Sequence, residues 1–254
     1  MRRAAFPLLS LALVFCLSHA YDTTDSSFGE VRARHRDSAS GTVGDRAGGT
    51  RRTSTLATSF SLSDGGLADV RRRVRSEQAG TYIADILLER DSALARWPDR
   101  KGVPLTVWIQ PASNVRDFSM SFVARVHAAF EEWDGLNLPV HFTFVEDSSD
   151  ADVHVSWIDR FRDPISGRTR WARDDSWTIT DANITLAVHH NQGELLEDDA
   201  MQAMALHEIG HLLGLDHTAD TTSIMAPRVR VRSLSGADRA TVRLLYALPA
   251  GPIR

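Results

Sequence analysis

The chain has 254 residues, 43% hydrophobic and 24% charged, with a formal net charge of −4. That length holds one good-sized domain plus an extension, and the mild negative charge excludes a strongly basic face for nucleic acid or an anionic membrane. Its one cysteine, Cys16, has no partner for an internal disulfide, so stability must come from an apolar core.

The first twenty residues read as a secretory signal peptide. Arg2 and Arg3 make a positive start, Ala4 to Leu17 form an apolar stretch too short to span a bilayer, and Ser18 and Ala20 are small residues suited to cleavage after Ala20. Cleavage there removes Cys16. Phe15 is bulky where an acylation site wants a small residue, so no lipid anchor is expected. The expected destination is extracellular or periplasmic, and no later stretch is apolar for long enough to span a membrane. Residues 21–56 are rich in Ser, Thr, Gly, Asp and Arg and cannot bury enough apolar surface to offset chain entropy, which predicts a disordered linker.

Residues 57–100 form a third section. Val70, Val74, Ile83, Ile86, Leu87, Leu94 and Trp97 suit one or two helices, with Pro98 as a stop. This section is either a prosegment lying over a cleft or a helical extension packed on the back of the following domain.

Residues 101–254 carry the main domain. Leu105–Ile109 alternates and is β-rich, which predicts a strand. Phe118–Trp133 places Phe122, Val123, Val126, Ala129, Phe130 and Trp133 at helical spacing. Strands are expected over His141–Val145, Ala151–Ile158, Gly167–Trp171 and Ile179–Val188. A last helix is expected over Ser235–Leu248, opened by a capping box from Ser235 to Asp238.

The chemistry concentrates in His207-Glu208-Ile209-Gly210-His211-Leu212-Leu213-Gly214-Leu215-Asp216-His217. On a helix, positions four apart share a face, so His207 and His211 can offer imidazoles to one point. Glu208 sits about a quarter turn away, close enough to reach a metal-bound water without being a ligand. Gly214 tolerates the left-handed conformation that ends a helix and reverses the chain, bringing His217 round as a third nitrogen. Three protein nitrogens leave a fourth tetrahedral position for water, the arrangement of a catalytic rather than a structural Zn2+.

This stretch matches the H-E-x-x-H-x-x-G-x-x-H signature, and the chain resembles the metzincin metalloproteases. Ser223-Ile224-Met225-Ala226-Pro227 is similar to their Met-turn. Within that clan the details resemble the matrixins: Thr218 follows the third His where astacins carry Glu, and Pro227 stands where astacins and serralysins carry Tyr. Asp216 precedes the third His, whereas reprolysins carry Asp after it. Leu234–Asp238 and Leu245-Tyr246 are similar to the matrixin C-terminal helix. The resemblance covers roughly residues 104–250, and the cysteine-free, single-domain layout points to a bacterial member.

The resemblance implies an α+β metzincin zincin fold. Its parts would be a mixed twisted sheet of about five strands, two long helices, and a small C-terminal subdomain with the Met-turn and a last helix. It implies a zinc-dependent endopeptidase, here secreted, with His207, His211 and His217 on one catalytic Zn2+ and Glu208 as general base. Met225 would form an apolar floor under the imidazoles, and Pro227, Arg228 and Arg230 would line the pocket rim just past the scissile bond. A solvated loop with Val229 and Val231 tucked in is the plainer reading of that rim. Asp238 would anchor the floor beneath the Met-turn or, more simply, only cap the last helix. Protein or peptide substrate would bind as an extended strand to a monomeric enzyme. The alternative is a secreted zinc-containing binding protein without turnover.

Two departures stand out. The chain lacks the His-x-Asp pairing and Gly-rich acidic loops of vertebrate-type matrixins, so structural calcium or a second zinc is not supported. His154, His189 and His190 are expected to be surface or hydrogen-bonded histidines. With Cys16 removed, no propeptide cysteine remains to block the metal, so any latency must work another way.

Overall fold

Alternation in Leu105–Ile109 and Val153–Ile158 buries every second side chain, and the sheet these strands share frames the molecule. The computed structural model describes residues 64–100 and 102–254, with the backbone of Val14–Phe15. The expected linker over 21–56, and the expected signal peptide apart from Val14–Phe15, lie outside the described residues.

In chain order the elements are β1 (Val14–Phe15), α1 (Asp64–Glu77), α2 (Ile83–Glu89), β2 (Ala93–Leu94), β3 (Leu105–Ile109), α3 (Met120–Asp134) and β4 (Phe142–Phe144). They continue with β5 (Val153–Ile158), β6 (Gly167–Arg173), β7 (Ile179–Ala187), α4 (Asp198–Leu212), β8 (Arg228–Val229), α5 (Gly236–Ala247) and β9 (Gly251–Pro252). The fold is α+β. Its main sheet has five strands in the order β4-β3-β5-β7-β6. Neighbours are parallel except β6, which runs antiparallel to β7 at the sheet edge. Two short ladders complete the set, β1 with β8 and β2 with β9.

The two long helices pack together. Ser119 caps α3 by accepting a hydrogen bond from Ser121 N, so the helix starts two residues later than Phe118. Its apolar face buries Phe122, Val126, Phe130 and Trp133. Helix α4 is buried almost all round from Ala200 to Leu212, as befits a helix touching α3, β6 and β7. The buried Trp133 indole donates to Leu206 O at 2.9 Å, tying α3 to the middle of α4. Among the described residues no helix is long and apolar enough to cross a membrane.

The capping box of α5 is present, with Ser235 Oγ accepting from Asp238 N and Asp238 Oδ2 accepting from Ser235 N. The expectation that Asp238 only caps does not hold. Its carboxylate also accepts from Ile224 N at 3.1 Å and pairs with Ser223 Oγ, so one buried group joins α5 to the turn carrying Met225.

Residues 64–100 differ from the simplest helical reading. Leu94 and Trp97 lie outside the helices, Leu94 in β2 against the C-terminal β9, and both are buried. Helix α2 stops at Glu89, well before Pro98, because Asp91 and Ser92 take left-handed φ values of 53° and 65°.

Candidate functional site

Helix α4 presents His207 and His211 on one face, both buried. The helix then ends as the glycine requires. Gly214 has φ +96°, Gly214 N donates to His211 O, and Leu215 N donates to Gly210 O, the two hydrogen bonds of a Schellman turn. The reversal returns His217 to the first two imidazoles.

The three Nε2 atoms converge, at 2.9 Å for His207–His211 and 3.3 Å for each pair with His217. The other ring nitrogens reveal the tautomers. His207 Nδ1 lies 2.7 Å from Ile224 O, and His211 Nδ1 lies 3.0 Å from Leu215 O. A carbonyl oxygen only accepts, so each Nδ1 carries the proton and each Nε2 is left as a lone pair. Lone pairs facing one another at this distance repel, and a cation between them removes the repulsion. Nitrogens about 2.0–2.1 Å from a tetrahedral zinc would stand about 3.3 Å apart. The donor set fits zinc.

Burial disfavours the charged form of all three rings. His207 is pushed down to about 3, by burial first and then by the neighbouring His217. His211 lies well below the ordinary histidine range, through burial and then its two histidine neighbours. His217 is lowered by burial. All three therefore stay unprotonated at neutral pH, as metal ligands must. The sign for stability follows. Below the unfolded value of about 6.5 the unfolded chain takes up protons that the folded chain cannot, so stability falls as pH drops. For His207 that window runs from about 6.5 down to about 3, at about 1.4 kcal/mol per pH unit, and His211 and His217 act in the same direction. The urea midpoint of the chelator-stripped protein is expected to be clearly lower at pH 5 than at pH 7.5; equal midpoints would contradict these environments.

Glu208 points away from solvent and under the edge strand. Thr169 Oγ1 on β6 lies 2.6 Å from Glu208 Oε2 and 2.9 Å from Glu208 O. Two residues earlier on the same strand face, Gly167 leaves room for this carboxylate. A Cβ there would meet Glu208 Cγ at 2.7 Å and Cδ at 2.9 Å.

Met225 is fully buried. Its thioether occupies the space that a Cβ on Gly210 would need, and Met225 Cε would stand 3.1 Å from such an atom. The glycine between His207 and His211 thus accommodates the methionine beneath them. Ser223 Oγ accepts from Met225 N at 2.9 Å and holds the turn.

Pro227, Arg228 and Arg230 are exposed, while Val229 between the arginines is buried. Among the other histidines, His154 Nε2 contacts Ser148 O at 2.8 Å. His189 is buried between Asp117 and Asp159, at 3.0 Å and 2.8 Å, and His190 lies 3.4 Å from Ser166 Oγ. Among the described residues the group placed to share a metal ion is His207, His211 and His217.

Several residues at the site carry no sequence signal. Gly167 and Thr169 look like ordinary strand residues, and Asp85 and Arg90 lie over a hundred positions before the loop they contact. Only a strand register placing Gly167 and Thr169 over α4 would have singled them out.

Residues 160–247 match the matrixin family. Over 178 residues the chain is 27% identical to matrix metalloproteinase-C of Caenorhabditis elegans, covering 63% of this chain and 28% of that protein. It is 32% identical over 128 residues to stromelysin-3 of Mus musculus, covering 46% and 20% respectively. With metalloendoproteinase 5-MMP of Arabidopsis thaliana the identity is 27% over 161 residues, covering 57% and 41%. The chain thus spans less than half the length of each of these relatives.

Proposed function

This is a chain of the matrixin type, and from that premise we propose that it is a secreted, zinc-dependent endopeptidase with Glu208 as its general base. The observation that carries the reading is the convergence of three Nε2 lone pairs, two fixed by carbonyl partners, on one point. When bound, zinc supplies Lewis acidity: it lowers the pKa of a water molecule and polarises the scissile carbonyl.

The remaining work belongs to the chain. Glu208 takes a proton from the attacking water on a carboxylate oxygen and returns it to the leaving amine nitrogen. Thr169 restrains that carboxylate, and Gly167 gives it room. Met225 and its turn keep the floor beneath the histidines apolar and fixed. Strand β6 lies at the sheet edge directly above Glu208. An extended peptide can add to such an edge by main-chain hydrogen bonds, with few demands on its side chains. Arg228 and Arg230 form a cationic rim beyond the turn. Secretion rests on the N-terminal sequence alone.

The alternative, a zinc-binding protein without turnover, would be favoured by a damaged base, and Glu208 is intact. The test is zinc content together with casein cleavage by the purified protein. One zinc per chain with chelator-sensitive cleavage is expected. One zinc without cleavage favours the binding protein, and absence of zinc removes both readings.

A further inference from the structure

The third ligand is the one not carried by the helix. His217 lies at the end of a short irregular stretch, and a metal ligand on such a stretch is only as well placed as the groups that hold it. Three side chains of the N-terminal section reach this stretch or the residues that flank it. Trp97 Nε1 donates to Leu212 O at 2.9 Å, and Thr218 Oγ1 donates to Asp85 Oδ2 at 2.9 Å. Arg90 does most. Its guanidinium donates to Gly214 O at 2.7 Å and Leu215 O at 3.2 Å, and its Nε lies 2.7 Å from Asp216 Oδ2. It also sits 5.3 Å over the Trp171 ring of β6.

Leu215 O is the carbonyl that accepts from His211 Nδ1, and Asp216 immediately precedes His217. One buried guanidinium therefore grips the partner of the second ligand and the neighbour of the third. Its position also suits a cation, just past the C-terminus of α4 where unsatisfied carbonyls collect. Only a planar fork with several donors can hold two carbonyls and a carboxylate together.

The section that carries Arg90 is fitted to this place. A Cβ on Gly214 would run into Ala95 O, so the turn and the N-terminal section are shaped to each other. Tyr82 N donates to Thr241 Oγ1 and Tyr82 OH meets Asp238 Oδ1, while β2 pairs with β9.

Resting on the zinc reading above, we infer that Arg90 is a positioning residue for the metal centre, and that residues 64–100 belong to the working catalytic unit. Arg90 acts through Leu215 O and Asp216 on His211 and His217, and never touches the metal or substrate.

The test uses the full chain with Arg90→Ala and Arg90→Lys. Zinc loss to excess chelator is measured well below the melting temperature of each variant, and the visible spectrum of the cobalt-substituted protein reports ligand geometry. Removing the group that directly orients a metal ligand costs roughly 10–100-fold in metal affinity; Arg90→Ala acts one contact further out and is expected to lose zinc several-fold to about tenfold faster, with an altered cobalt spectrum. Arg90→Lys keeps the charge but not the fork, and is expected to recover only part of the loss. If Arg90→Ala fails to fold, Arg90→Lys carries the test. Wild-type release rates and cobalt spectra in the folded variants would overturn the positioning role while leaving the zinc reading intact. A wild-type chain that takes up neither zinc nor cobalt would overturn both.

Discussion

Glu208→Gln is expected to retain zinc and fold while losing peptide cleavage by a factor of about 10²–10⁴, the usual contribution of a positioned acid–base group. Glutamine has nearly the same volume, so it fills the space beside Gly167 without a new cavity. Thr169 Oγ1, now 2.6 Å from Glu208 Oε2, can donate to the amide oxygen instead. What the amide cannot do is accept the water's proton and pass it to the leaving nitrogen. Glu208→Ala removes the same function but also empties a fully buried site, so its stability loss must be measured separately. Zinc content, melting temperature and cleavage rate on the same preparations make the comparison. Cleavage within a few-fold of wild type in Glu208→Gln would remove Glu208 from the proton path. Loss of zinc in that variant would mean that the carboxylate helps to hold the metal rather than acting beside it.

The second large effect concerns the N-terminal section. A chain beginning at Gly102 is expected not to fold to a cooperative native state. Ile83, Ile86, Leu94 and Trp97 are each at most 1% exposed, and full burial of such a side chain contributes about 1.5–3 kcal/mol. Deleting them also uncovers the core surface they pack against, and a domain's whole net stability is only about 5–15 kcal/mol. The truncation would also leave Gly214 O and Leu215 O without Arg90 and uncover the α5 surface around Thr241. Thermal melting of the truncated chain, followed by circular dichroism and compared with the full chain, checks this. A sharp transition near that of the full chain, with zinc bound, would show that residues 64–100 are dispensable and would favour a removable prosegment.

The contrast between sequence and structure is clearest at α4. His207, Glu208 and His211 were legible because helical spacing is local: residues four apart meet whatever surrounds them. The helix end was legible too, since Gly214 at φ +96° fills a backbone role that few residues can. From residue 102 onward, strand and helix positions followed from alternation and helical periodicity, with ends off by at most two residues, as where Ser119 caps α3. The capping box at Ser235 and Asp238 was equally local.

Long-range contacts had no signal in the residue pattern. Thr169 over Glu208 and the Met225 thioether beside Gly210 depend on register and packing between distant elements. The tie from Asp238 to the Met225 turn is anticipated through the family resemblance, beside the plainer reading of a cap alone. A guanidinium at position 90 meeting carbonyls at 214 and 215 has no local signature at all. The sequence by itself determined the histidine pattern and the helix that displays two of the three imidazoles, because backbone geometry over a few residues decides both. The tertiary structure alone decided what holds His217 and Glu208 in place, because those contacts exist only once the core has closed.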